Sequence, residues 1–278
     1  MSNLKSFIEN TYNKTNNISE SQLFDFQNEF LGKLNKGEIR AAEPSTDGNW
    51  KVNEWVKKGI LILFSFGKLQ ETRIDDNFKF YDKHTIPLQN ISLQHNIRLV
   101  PGGSSIRSGA YVASGVICMP PMYINIGAYI DEATMIDSHA LAGTCCQIGK
   151  RVHISAASQI GGVLEPPNAR PVIIEDDVLV GGNCGIYEGV LVRKKSVIAA
   201  GVILTSSTKV FDLVNDRIIK SESDIPLEIP ENAVVVPGSR SINTDFGKEY
   251  GLSIYTPLII KYRDDKTNKK VGLEELLR

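Results

Sequence analysis

Ile124-Asn125-Ile126-Gly127-Ala128-Tyr129-Ile130-Asp131-Glu132-Ala133-Thr134-Met135-Ile136-Asp137-Ser138-His139-Ala140-Leu141-Ala142-Gly143-Thr144-Cys145-Cys146-Gln147-Ile148 places an aliphatic residue at every sixth position: Ile124, Ile130, Ile136, Ala142 and Ile148. A helix turns one face inward about every 3.6 residues and a strand every second residue, so a strict period of six belongs to neither alone. It fits a triangular solenoid, in which each hexad supplies one short strand and one corner and three hexads close a coil. Working outward, the series starts at Ile106, Val112 and Cys118 and runs on through Ile154 and Ile160. After one gap of fourteen residues it resumes at Ile174, Val180, Ile186, Val192, Ile198, Leu204 and Val210, making seventeen hexads. Four places after most of these stands a small or apolar residue (Ala110, Val116, Ala128, Thr134, Ala140, Cys146, Val152, Ser158, Val178, Cys184, Val190, Ser196), a second inward position per hexad. Gly127, Gly143, Gly149, Gly161 and Gly181, with Asn125, Asp131 and Asp137, fall near the corners, where tight backbone turns favour such residues. The gap exceeds one hexad by eight residues, so the chain is expected to leave the prism as a loop within residues 163–171.

The flanks have a different texture. Residues 1–97 mix helical patterns with loops and form an α-rich domain. Ser19 with Gln22 has the form of a capping box ahead of Leu23, Phe26, Phe30 and Leu34 at helical spacing, and a second helix is expected from Trp55 to Phe64. Pro44-Ser45-Thr46-Asp47-Gly48 marks a loop between them. The repeat occupies residues 98–212. Residues 213–278 form a small β-rich region with strands in Asn232–Gly238 and Pro257–Tyr262 and a closing helix from Leu273 to Leu277. These pieces would cap the open edges of the solenoid. The fold class expected is mainly β: a left-handed parallel β-helix of hexapeptide repeats between an α-rich N-terminal domain and a small β-rich C-terminal region.

Composition narrows the function. With 31 basic and 32 acidic side chains the formal charge is -1, so no electrostatic footprint for nucleic acid or an anionic membrane is present. The N-terminus, from Met1 to Glu9, lacks an apolar segment of the secretory kind, and no run of about 18 apolar residues suggests a span. Cys118, Cys145, Cys146 and Cys184 show no CxxC spacing and lie within the repeat, where they read as small buried side chains in a reducing cytoplasm. A zinc site of three converging histidines would have to draw on His84, His95, His139 and His153; His139 and His153 stand fourteen apart, short of one eighteen-residue coil, and no metal site is expected.

Several stretches together resemble the tetrahydrodipicolinate N-succinyltransferase family: Arg98-Leu99-Val100-Pro101-Gly102, Asn125 through Glu132, Met135-Ile136-Asp137, Gln147-Ile148-Gly149-Lys150, Gly161 through Pro166 and Ile173-Ile174-Glu175-Asp176. Outside the repeat the likeness extends to Lys36 through Glu43 and to Trp55-Val56-Lys57-Lys58. The resemblance implies an acyltransferase that moves a succinyl group from the co-substrate succinyl-CoA to the amino group of ring-opened tetrahydrodipicolinate, a step of diaminopimelate and lysine synthesis. It also implies a cytoplasmic homotrimer with active sites between subunits, no tightly bound cofactor, no metal, and no nucleic-acid or membrane partner. Other acyl transfers on this fold, from acetyl-CoA or to an amino sugar, and a non-catalytic scaffold are the alternatives.

By the same resemblance, Arg98 matches the substrate-binding arginine ahead of Val-Pro-Gly, and a bidentate guanidinium suits a carboxylate. Asp137 matches the catalytic, substrate-binding acid beside the acceptor amine; an aspartate at a corner can also bond its own turn. The pattern departs in two places. Ser138-His139 stands where the family has Thr-Trp, and Cys184-Gly185-Ile186-Tyr187-Glu188-Gly189 stands for Ser-Glu-Val-Val-Glu-Gly, so that Gly185 replaces a second catalytic acid. His139, with an imidazole suited to proton transfer, and Glu188 are the candidates to fill that role. Counting faces puts Asp137 after the third strand of a coil and Ile186 on the first, so these residues could meet only across a subunit boundary, which a trimeric site would permit. Lys150, Arg151, Arg193, Lys194 and Lys195 could meet CoA phosphates, but solvated corner charges read the same way.

Overall fold

In the computed structural model, residues 2–13, 18–222 and 225–263 are described; the expected helix from Leu273 to Leu277 lies outside them. Helices α1 (Ser2–Asn13), α2 (Glu20–Asn35) and α3 (Glu54–Phe66) make the N-terminal region. The Ser19 hydroxyl accepts from Gln22 N while the Gln22 side chain accepts from Ser19 N, the reciprocal cap expected. Leu23, Phe26, Phe30, Leu31 and Leu34 then point into one core with Val56, Ile60 and Leu63 of α3. Ile126 and Cys145 of the repeat belong to that same core, so the helices sit directly on a corner of the solenoid. At Gly127 an added Cβ would meet the Ile60 side chain at 2.8 Å. Two hairpins escaped the sequence reading: Ala42–Pro44 with Trp50–Val52, and Leu69–Arg73 with Lys79–Lys83. The second is exposed almost throughout, so it offers none of the inward periodicity on which the reading depended.

The repeat forms three parallel faces. The first carries strands starting at Ser105, Tyr123, Leu141, Gln159, Gly185 and Ile203; the second, those starting at Tyr111, Tyr129, Gln147, Ile173, Leu191 and Glu228; the third begins at Arg98 and runs through Ile117, Met135, His153, Leu179, Val197 and Ala233. Within a face, residues eighteen apart are in register, as Val112, Ile130 and Ile148 are. Across the excursion the step is twenty-six, pairing Ile148 with Ile174, Ile154 with Val180 and Ile160 with Ile186. All seventeen hexad residues are buried, and so are the twelve small partners. The buried hydroxyls of Thr134 and Ser158 donate to the carbonyls of Gly149 and Gly181, each at 2.7 Å, so none is stranded in the core.

Val210, the last hexad residue, stays in the core, but its strand does not join the second face. Its strand, Val210–Asp212, pairs with Arg217–Ile219 and Leu258–Tyr262, and Ile229 takes the place beside Val192. Ala233–Val236 extends the third face and pairs antiparallel with Leu258–Tyr262, where the two C-terminal strands were expected.

The corners turn by a rule finer than the composition suggested. Three residues after the aliphatic position the backbone is left-handed: at Gly109, Gly115, Gly127, Ala133, His139, Cys145, Arg151 and Ala157, and again at Asp177, Asn183, Gly189, Lys195 and Gly201. Side chains tolerate this strained region because the N–H there is held by the preceding coil, as His139 N is by Pro121 O and Ala157 N by Ser138 O. Gly143, Gly149, Gly161 and Gly181 are not among these turn positions. Their role is close approach: a Cβ on Gly143 would lie 2.4 Å from Gly162 N, and one on Gly181 2.5 Å from Ala200 N.

Candidate active site

Arg98 and Asp137 belong to the third face. Arg98 lies on its first strand, and the row of outward side chains continues with Ile117, Met135 and His153. Met135 is two strand spacings from Arg98, about 10 Å, and Asp137 forms the corner just beyond it. Asp137 does bond its own turn, Oδ1 accepting from Ser138 N at 2.7 Å. Its other oxygen is left for other work and stands 3.6 Å from His153 Nε2. Both side chains are half-buried, 29% and 15% exposed, which weakens screening of the pair by water.

His139 and Glu188 fare differently. His139 is exposed at its left-handed corner and borders a cavity of about 400 Å³ with Gly103, Ser105, Pro121, Met122 and Tyr123. Glu188 accepts from the backbone and hydroxyl of Ser206, at 2.9 and 2.5 Å. The Ser206 hydroxyl and backbone N–H hold its carboxyl below the usual carboxylate range, which makes it a weaker base. The histidine beside Asp137 is His153. A count of eighteen from Met135 leads to it, so the repeat contained that information.

The largest cavity, about 1160 Å³, opens where the first face turns into the second. The excursion at residues 163–171 walls one side, through Val163, Glu165, Asn168, Ala169 and Arg170. Trp50 and Asn49 of the first hairpin close another side, and Tyr187, Glu188, Ser206 and Glu228 complete it. An ionic ladder ties these parts together. Arg170 pairs with Glu228, Glu228 with Arg193 at 3.0 Å, Arg193 with Glu175 at 3.1 Å, and Glu175 accepts from Trp50 Nε1 at 3.0 Å. Lys57 of α3, fully buried, anchors the excursion by donating to Ala169 O at 2.6 Å. Burial lowers the affinity of that ammonium for its proton. Sequence reasoning placed a loop here but found neither Lys57, Arg170 nor Tyr187, whose roles depend on contacts between distant segments.

Asp137 thus stands at the corner entering the first face, and the large cavity lies at the corner leaving it. Six residues of strand and turn separate those corners, roughly 20 Å at full extension, and Asp137 does not line the cavity. Of the five basic corner residues, Lys150 pairs with Glu132, Arg151 with Asp177, Arg193 with Glu175 and Glu228, and Lys194 with Glu231. All four cysteines are buried free thiols; burial pushes Cys118 and Cys145 up to about 12 and Cys146 up as well. Among the described residues no group of three or more His, Cys, Asp or Glu could hold a metal ion, and no helix is long and apolar enough to cross a membrane.

Two family models match this chain: the tetrahydrodipicolinate N-succinyltransferase N-terminal region over residues 3–66, and the hexapeptide repeat of succinyl-transferase over residues 171–206. Among curated relatives, the 2,3,4,5-tetrahydropyridine-2,6-dicarboxylate N-succinyltransferase of Bradyrhizobium diazoefficiens is 38% identical over 292 aligned positions, covering 100% of this chain and 99% of the relative. The proteins of the same name from Afipia carboxidovorans and Nitrobacter winogradskyi are 42% identical (89% of this chain, 87% of theirs) and 39% identical (94% and 92%). Helical domain, six-residue repeat and overall length therefore agree together with one kind of relative, and the chain belongs to the tetrahydrodipicolinate N-succinyltransferase family.

Proposed function

We propose that this protein transfers the succinyl group of succinyl-CoA to the amino group of ring-opened tetrahydrodipicolinate, in the diaminopimelate and lysine pathway. The observation that carries the reading is the likeness over the whole chain, 100% of it at 38% identity in one relative, rather than over the repeat alone. In the transfer, the amine lone pair attacks the thioester carbonyl, a C–N bond forms, the C–S bond breaks and CoA leaves as its thiol. The amine must shed a proton along the way. Asp137, with one oxygen tied to Ser138 N and the other turned toward His153, is the group that orients the amine and draws off that proton. Arg98, exposed on the same face, binds a carboxylate of the acceptor.

The working unit is a homotrimer with sites between subunits, built on a left-handed coil, and the buried thiols suit a reducing cytoplasm. Separation of Asp137 from the large cavity within one chain supports a shared site, since a threefold contact sets one corner of a subunit against a different surface of its neighbour. Succinyl-CoA is a co-substrate, with no tightly bound cofactor. The test is CoA thiol release with succinyl-CoA or acetyl-CoA and tetrahydrodipicolinate or an aminopimelate as acceptor. Turnover led by succinyl-CoA is expected. Faster turnover with acetyl-CoA would remove the succinyl assignment, and none with any acceptor would leave a scaffold.

A further inference from the structure

The outward row of the first face reads Ser105, Tyr123, Leu141, Gln159, Gly185 and Ile203, so at Gly185 a side chain is missing from the row. The space is not empty. A Cβ on Gly185 would lie 2.4 Å from Tyr187 Cε2 and 2.9 Å from both Cζ and the hydroxyl oxygen. On the neighbouring coil, a Cβ on Gly161 would lie 2.7 Å from Tyr187 Cδ1. Tyr187 therefore folds back along its own strand and lays its ring in a trench that only two glycines can form. Two of the ring's neighbours are thus glycines, and a side chain at either would displace it.

That ring opens onto the largest cavity, which Gly161 and Tyr187 line together with Glu188 and Arg170. Two charged groups beside it are already engaged, Glu188 by Ser206, and Arg170 by Glu228 and the Gly189 carbonyl. The Tyr187 hydroxyl makes no hydrogen bond among the described residues. A phenol held at a cavity wall with its hydroxyl unspent suits an anionic or carbonyl oxygen, to which it can donate a hydrogen bond.

Resting on the acyl-transfer reading above, we infer that Tyr187 is a substrate-contacting residue, its hydroxyl donating a hydrogen bond to a carbonyl or carboxylate oxygen of a bound substrate. Gly185 and Gly161 are positioning residues that seat it. The CoA thioester and the dicarboxylate acceptor both present such oxygens, and kinetics tell them apart.

Tyr187→Phe keeps the ring in its trench and removes only the donor. In the full-length protein, kcat/KM should fall at least tenfold for the substrate that is contacted, with the KM of the other unchanged and the Tm preserved. Gly185→Ala should displace the ring and lower activity comparably although the hydroxyl remains. Wild-type turnover alongside Tyr187→Phe values within twofold on both substrates overturns the proposal and leaves the acyl-transfer reading intact. Full activity in Gly185→Ala overturns the seating. Calorimetric titration with succinyl-CoA and with an aminopimelate covers a protein that does not turn over: weaker binding by Tyr187→Phe supports the contact and equal binding overturns it. Absence of both turnover and binding in the wild type removes the reading and this inference with it.

Discussion

At the scale of single residues, the proposed chemistry rests on one carboxylate at the third-face corner. Asp137 divides its two oxygens: Oδ1 is held at 2.7 Å by Ser138 N, which fixes the plane of the group, and Oδ2 faces His153 at 3.6 Å. A rigid carboxylate with one oxygen turned outward can meet an amine in a single orientation, which is where positional catalysis gains most. Asp137→Asn retains the shape and the turn but cannot take up a proton or oppose a developing ammonium charge. Its kcat should fall by about 100-fold or more, with the assembly unchanged by sedimentation; near-normal turnover would end the catalytic assignment. His153→Gln preserves a polar neighbour and separates the contribution of the imidazole from that of the aspartate itself.

At the scale of elements, the strands depend on how coils are closed and ended. Asp212 staples three C-terminal strands: its side chain, fully buried, accepts from Arg217 Nε at 3.0 Å, Tyr262 Oη at 2.8 Å and Asn215 Nδ2 at 2.9 Å. Burial alone would raise its pKa, but those hydrogen bonds, with one from Val214 N, outweigh it and bring the carboxyl down to about 2. A depressed folded-state pKa stabilises the fold above the ordinary aspartate range, and that stabilisation is lost as pH falls through about 2. Asp212→Asn should therefore cost about 2 kcal/mol at pH 7, and the gap to the parent should shrink between pH 4 and 2 in urea melts. A gap independent of pH would mean that shape rather than charge holds the strands.

These elements also show what could be read in the chain beforehand. Ile106 through Leu204 were legible because every hexad buries its aliphatic residue, and the fourteen-residue gap located the excursion that walls the large cavity. The Leu69–Lys83 hairpin was illegible because it buries nothing, and Val210 satisfied the spacing while its strand pairs elsewhere. Arg98 and Asp137 are candidates that family resemblance alone supplies, whereas Tyr187 needed coordinates: its seat depends on Gly161, in the preceding coil and across the excursion.

At the scale of the whole molecule, Asp137 and Tyr187 stand at two corners of one prism, on opposite sides of the first face, and the proposed function makes them complementary halves of one site. A single chain cannot bring them together, whereas the proposed ring of three 30.7 kDa chains would set one corner of each against another surface of the next. The architecture predicts complementation. Asp137→Asn and Tyr187→Phe are each impaired as pure assemblies, because every site lacks one half. Co-expressed in equal amounts they form mixed rings, in which roughly a quarter of the contacts join an intact Asp137 from one chain to an intact Tyr187 from its neighbour. Thiol release by the mixture should then exceed the mean of the two pure variants and approach a quarter of the wild-type rate. Activity equal to that mean would place both residues in sites completed within one chain, or Tyr187 outside the site altogether. Sedimentation of the wild type at three chains per particle is the companion measurement, and a monomer would remove the shared site.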